Sequence, residues 1–277
     1  MPDRIPQFAN AGFTFPVTDE GPLDGEIVLL LHGFPQTSKS WDAVCARLNR
    51  DGYRTIRFDQ RGYAPAARPR GRRPYRLSAL VGDVAALVDQ VGAPVHLVGH
   101  DWGSAVAWTT AARRPELLKS LTAVSVGHPM AFQRSMVSSN QALRSYYMLM
   151  FQIPRLPEAI MRRPKNLERF LGGSGMTPEQ ICDVQTDIID GGALTGGLNW
   201  YRALPFVDRA NNGKVSVPTT YVWSTNDIAL GRRAAELTER YVTGPYRFEV
   251  LDGSHWIPEE LPDRLGDMIV DRIKSVQ

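Results

Sequence analysis

The sequence predicts an α/β fold: a mostly parallel sheet flanked by helices, interrupted by an inserted helical cap. Short aliphatic and β-branched runs alternate with helical patterns, the signature of strands joined by crossover helices. The alternation stops after Val126 and strand-like patterning returns only at Val215. A chain of 277 residues, 43% hydrophobic, can build one sizeable core and still carry such an insertion.

The elements follow in order. Residues 26–31 are a buried strand candidate, a short aliphatic run without helical spacing. Further strands are expected at 54–58, 94–98, 121–126, 219–223 and 247–251. Helices are expected at 41–49, 77–91, 102–113, 231–242 and 262–273; in the last, Leu265, Met268, Ile269 and Ile273 share one face. From 128 to 208 the pattern is helical, with proline, glycine and aromatic residues. Thr177-Pro178-Glu179-Gln180 there supplies an N-cap, a first-turn proline and the N3 glutamine of a capping box. The expected organisation is therefore core at 1–127, cap at 128–208 and core again at 209–277. Open parallel sheets bind ligands beyond the carboxyl ends of their strands. A cap inserted after one such end covers that site.

Composition excludes several classes. A net charge of +3 with 22% charged residues argues against a nucleic-acid partner. The basic run Arg68, Arg70, Arg72, Arg73 and Arg76 is broken by Pro69, Gly71 and Pro74 and reads as a solvated loop. Cys45 and Cys182 form neither a disulfide framework nor a metal-ligand spacing, and two free thiols fit a reducing cytoplasm. The first fifteen residues contain Pro2, Asp3, Arg4 and Pro6 and do not read as a signal peptide. The longest apolar run, 27–31, falls far short of the roughly 20 residues of a membrane helix.

The most informative stretch is Val95-His96-Leu97-Val98-Gly99-His100-Asp101-Trp102-Gly103, a strand running through Gly-x-Asp-x-Gly into a helix. Such a turn is tight enough that a side chain at Gly99 or Gly103 would meet backbone, and it holds Asp101 strained and exposed. The following helix turns its first N–H groups toward the same point, which favours an anion. Taken singly, the turn also fits an aspartate N-cap. Three other motifs decide between the two. His32-Gly33-Phe34-Pro35-Gln36 follows the 26–31 strand. Asp227 follows a late strand, and His255, in Gly253-Ser254-His255-Trp256, follows the last.

In this order the chain resembles the α/β-hydrolase-fold epoxide hydrolases, bacterial and soluble, from Ile27 to about Asp263, with aspartate where the nucleophile elbow usually carries serine. The resemblance implies an α/β-hydrolase fold. It makes Asp101 the nucleophile, His255 the general base and Asp227 the acid that orients His255. The backbone N–H groups of Phe34 and Trp102 would form the oxyanion hole. Asn199-Trp200-Tyr201-Arg202 matches a cap motif whose tyrosine donates to the epoxide oxygen. The stretch ending Phe151-Gln152-Ile153-Pro154 matches the one carrying a second such tyrosine, and its spacing favours Tyr147 over Tyr146. Phe34, Trp102 and Trp256 are expected to line the substrate pocket. His32, His96, His100 and His128 have no comparable catalytic placement.

The chemistry suits these residues. An epoxide carbon is saturated, so it must be displaced from behind, and a carboxylate is already anionic at neutral pH. Two phenols can serve the departing oxygen. Water activated by His255 would then attack the ester formed on Asp101. The expected partners are a small-molecule epoxide and water, with no metal or organic cofactor, no nucleic acid and no membrane; a homodimer through cap surfaces stays open.

Haloalkane dehalogenase is the main alternative, since it shares the aspartate nucleophile. It usually places an asparagine after His-Gly, or a second tryptophan elsewhere, as partner to Trp102 in binding halide; Phe34 has no side-chain donor. Trp102, where fluoroacetate dehalogenases carry arginine, argues against that activity, and Asp101 argues against a serine esterase. A non-catalytic ligand-binding homologue is the remaining reading, though no triad member is missing.

Overall fold

In the computed structural model, residues 3–206 and 213–277 are described. Eight strands form one sheet in the order β1-β2-β4-β3-β5-β6-β7-β8. They are β1 (Gln7–Asn10), β2 (Phe13–Glu20), β3 (Ile27–Leu31), β4 (Arg54–Phe58), β5 (Val95–His100), β6 (Leu118–Val124), β7 (Thr219–Ser224) and β8 (Tyr246–Leu251). Only the β1–β2 and β2–β4 pairings are antiparallel. All other pairings are parallel. The α/β class read from the alternation is the one observed.

Side-chain alternation in β3 explains the layering. Val28 and Leu30 pack with Val44 and Leu48 of α1 (Asp42–Arg50), and with the final helix, on one face. Leu29 and Leu31 pack on the other face, in the cluster that contains Val84 and Leu87 of α2 (Leu77–Val91) and Val106 and Trp108 of α3 (Trp102–Arg113). A period of two thus buries both faces of a continuous aliphatic strand, as a helix-covered parallel sheet requires.

Between β6 and β7 the described chain is helical. It comprises α4 (Pro129–Ser138), α5 (Gln141–Arg144), α6 (Tyr146–Gln152), α7 (Leu156–Met161), α8 (Pro164–Gly172), α9 (Pro178–Asp183), a π-helical stretch Val184–Asp190 and α10 (Leu194–Arg202). The capping box opens α9: Gln180 N–H donates to Thr177 Oγ1 and Thr177 N–H to Gln180 Oε1. The expected cap–core junction at 208/209 lies outside the described residues. The core resumes through α11 (Arg232–Thr238), α12 (Ile257–Glu260) and α13 (Pro262–Lys274).

The structure departs from expectation in several places. The β1–β2 hairpin was not foreseen: both strands are half-exposed and lack an aliphatic run, and they are turned by Ala11 and Gly12 at positive φ. β5 runs two residues further than expected, directly onto Asp101. β6 starts and ends earlier than expected, stopping before Ser125 at φ 65°. The 231–242 helix tightens into a 3₁₀ turn after Thr238.

The arginine-rich loop is not simply solvated. Arg68 donates to the Tyr63 carbonyl and to the Gly191 carbonyl of the β6–β7 helices, and the Arg72 guanidinium lies 5.9 Å from the Phe206 ring centroid. Tyr75 is buried beneath this loop. These contacts bind the sheet domain to the helices above it. Among the described residues, no helix is long and apolar enough to cross a membrane.

Candidate active site

Asp101 stands at the carboxyl end of β5 as the residue before α3, with φ 51° and ψ −117°. A non-glycine residue in that region is strained and persists only where its surroundings impose it. The glycines around it explain how. A Cβ at Gly103 would run into the Leu31 carbonyl, and one at Gly99 into the Gly103 carbonyl. The elbow is therefore packed directly against β3 and against itself.

The Asp101 carboxylate reaches both predicted neighbours. Its Oδ1 accepts from the Phe34 N–H at 2.9 Å, and its Oδ2 lies 3.5 Å from His255 Nε2. Trp102 opens α3, so its N–H is one of the first-turn donors lacking an intrahelical acceptor. Burial pushes the Asp101 carboxyl up, but the hydrogen bond and charge of His255, with help from the Phe34 N–H, hold it below the usual range. The buried carboxylate stays ionised.

His255 follows β8, and its Nδ1 lies 2.6 Å from Asp227 Oδ2. The other Asp227 oxygen accepts from the N–H groups of Ala229 and Leu230, both at 2.8 Å, so the acid cannot swing away from the ring. The His255 carbonyl accepts from Ser125 Oγ and His100 Nε2. Burial would lower the imidazole, but Asp227 and then Asp101 raise it to about 10. His100 behaves oppositely: burial, then the charge of His255, depress it to about 4, so it is neutral and donates through Nε2.

A cavity of about 730 Å³ opens above this constellation, lined by Asp101, His255, Phe34, Trp256, Tyr147 and Tyr201 among others. The two tyrosine rings lie 6.1 Å apart, Tyr147 on α6 and Tyr201 on α10. Phe34 and Phe151 pack edge-on against Tyr201 at 5.3 and 5.0 Å. Burial, reinforced by neighbouring negative charge, pushes both phenols above their ordinary value, so they remain O–H donors. Tyr146 is 68% exposed and lies at the cavity rim, whereas Tyr147 packs on Tyr201 and Phe151.

One expectation fails. The Trp102 side chain does not line this cavity. Its ring packs perpendicular to Tyr201 at 5.0 Å and against Trp200 at 5.8 Å, behind the tyrosine. A side chain at the first position of α3 tilts toward the helix N-terminus, and here it meets Trp200 and Tyr201 of α10. The sequence also missed Gln141 and Arg144. A glutamine and an arginine in a four-residue helix carry no local signal, and the loop they touch lies more than eighty residues away. Among the described residues, no group of three or more His, Cys, Asp or Glu side chains is arranged to hold a metal ion.

Comparison with known proteins agrees with this architecture. Residues 26–153 match the family described as alpha/beta hydrolase fold. The chain is 36% identical to the AB hydrolase superfamily protein YfhM of Bacillus subtilis, covering 97% of this chain and 98% of that one. It is 30% identical to human Epoxide hydrolase 4, covering 96% of this chain and 77% of the relative. A crystal structure of Bacillus megaterium epoxide hydrolase in complex with an inhibitor superposes with a TM-score of 0.83 at 25% identity, over 97% of this chain and all of that one. With such identity sustained along nearly the whole of both sequences, the chain belongs to the α/β-hydrolase family, among the relatives of the epoxide hydrolases.

Proposed function

We propose that the protein is an epoxide hydrolase that converts epoxides to vicinal diols through a covalent ester on Asp101. The observation that carries this reading is the meeting of an ionised elbow carboxylate and two phenols, buried Tyr201 and half-buried Tyr147, in one cavity. Asp101 attacks an epoxide carbon from the side opposite the C–O bond that breaks. Tyr147 and Tyr201 donate to the departing oxygen, which takes up a proton and becomes the first hydroxyl.

The electrostatics support a division of labour between the two steps. In the free enzyme His255 is held as imidazolium by two carboxylates, and its charge in turn keeps Asp101 anionic. Ester formation removes the charge of Asp101. His255 then loses one of the two carboxylates that held its proton, and releasing that proton leaves a neutral base. The proton lost by His255 balances the one gained by the alkoxide. Neutral His255 next takes a proton from water as the water oxygen attacks the Asp101 ester carbonyl. The N–H of Phe34, already on Oδ1, and that of Trp102 would stabilise the resulting oxyanion. Collapse releases the diol and returns Asp101 with one oxygen from water. The chemistry draws only on side chains, backbone and water.

Against the dehalogenase alternative, the Trp102 indole is turned onto Tyr201 and Phe34 supplies no side-chain donor, so a halide would lack its usual partners. We read the helices between β6 and β7 as the cap, and exposed Val137, Leu143 and Leu149 on them as a face over which a homodimer could close. Free Cys45 and Cys182 suit a cytoplasmic protein.

Incubation with styrene oxide and, separately, 1-bromobutane tests the reading. Diol from the first without bromide from the second is expected; bromide release without diol would favour the dehalogenase, and neither product would leave a binding protein. Asp101→Asn abolishes turnover, checked by steady-state assay with intact mass excluding conversion of the amide to Asp. A single turnover in ¹⁸O-water yields unlabelled diol, because the first product oxygen comes from Asp101.

A further inference from the structure

The loop that carries Asp227 is held from above, and the residues that hold it belong to the helix adjoining Tyr147. Gln141 is fully buried in α5. Its amide nitrogen donates to the Ala229 carbonyl at 2.7 Å and to Ser145 Oγ at 2.9 Å, and its amide oxygen accepts from the Gly231 N–H at 2.8 Å. Arg144, on the same turn, donates from Nη1 to the carbonyls of Asp227 at 3.0 Å and Ile228 at 3.2 Å. One four-residue helix thus grips the backbone from Asp227 to Gly231. Within the loop, the Ala229 and Leu230 N–H groups bond Asp227 Oδ1 and fix the acid against His255. Two residues after α5 ends, the next helix presents Tyr147 to the cavity.

Generic packing does not account for this arrangement. A buried glutamine needs partners for both ends of its amide. This one spends donor and acceptor on a single loop in a segment remote in sequence. The Arg144 Nε has no hydrogen-bond partner of its own, so the side chain's bonds to protein run through the guanidinium tip to that loop.

We propose that Gln141, assisted by Arg144, is a positioning residue for the triad acid, coupling the segment that bears Tyr147 to the loop that bears Asp227. The inference rests on the reading of Asp227 as the acid that orients His255. Tyr147 and the contacts that hold the Asp227 loop thus lie within seven consecutive residues, 141–147. The groups facing His255 are Asp227, Asp101 and the His100 ring, and of these Asp227 alone sits on the gripped loop.

The test uses the full chain and single-turnover kinetics with styrene oxide, following formation and hydrolysis of the Asp101 ester separately. Gln141→Met keeps the volume and removes the three hydrogen bonds. It is expected to slow ester hydrolysis about tenfold, as for loss of a buried polar network member. It also moves the acid limb of that step to lower pH, because a displaced Asp227 holds the His255 proton less tightly. In an Asp227→Asn background the same substitution has no further effect on hydrolysis, since it acts through the acid.

An unmoved acid limb, or rate losses from Gln141→Met and Asp227→Asn that multiply, overturns the proposal. Arg144→Met, at a partly exposed site, reads the same loop should Gln141→Met not fold; an unmoved limb there is equally fatal. Failure of the underlying reading looks different: Asp227→Asn alone would then leave ester hydrolysis at its normal rate.

Discussion

If Asp101 becomes an ester, the proton affinity of His255 must fall between the two half-reactions. In the free enzyme the imidazole is raised to about 10, and the Asp101 oxygen lies 3.5 Å from its Nε2. Neutralising one unit charge at that distance removes about 5 kcal/mol of attraction at an effective dielectric of 20. That corresponds to about three and a half pH units, which places His255 at about 6.5 in the ester while Asp227 still holds Nδ1. Ester formation needs only ionised Asp101 and protonated phenols, so its rate is flat across neutral and mildly alkaline pH. Ester hydrolysis rises with pH and levels off above about 7. Stopped-flow tryptophan fluorescence can follow both phases, since Trp256 lies against the His255 ring. A hydrolysis rate that is flat from pH 5 to 9, or that climbs without levelling until pH 10, would refute the reasoning.

Tyr201→Phe should slow ester formation by about 10²-fold and hydrolysis far less, the loss expected for one donor to a developing oxyanion; rapid-quench detection of the ester resolves the two. His255→Gln should accumulate the ester, read as an intact-mass increase equal to the substrate, because the water step loses its base. Folding stability should fall in alkali: His255 holds its proton to about 10 when folded against 6.5 in a free chain, so its contribution is complete below pH 6.5 and disappears as pH rises through 10. Unfolding midpoints at pH 7 and 10 should therefore differ more for wild type than for His255→Gln. Glu158→Gln should cost roughly 3 kcal/mol, since it leaves Arg202, which also donates to the Phe151 carbonyl, as an uncompensated buried charge; urea unfolding measures it.

The parts legible in sequence are those where chemistry is written into adjacent residues. Gly99-His100-Asp101-Trp102-Gly103 states its turn because only glycine tolerates the backbone contacts found at both ends. Asp227 and His255 were legible by position, each just past a strand. The β1–β2 hairpin was not, because half-exposed strands lack the aliphatic density that marked β3 and β5.

The α/β class, the order of the motifs and the choice of aspartate over serine at the elbow were determined by sequence alone, because backbone permissiveness and hydrophobic period act over a few residues. Tertiary structure alone decided that Trp102 backs Tyr201 instead of facing the cavity, and that Gln141 grips the Asp227 loop. Those outcomes depend on which surfaces meet across eighty or more residues of chain, and no local pattern encodes the partner. The proton held by His255 belongs with them: its value is set by two carboxylates that the fold brings within 2.6 and 3.5 Å of one ring.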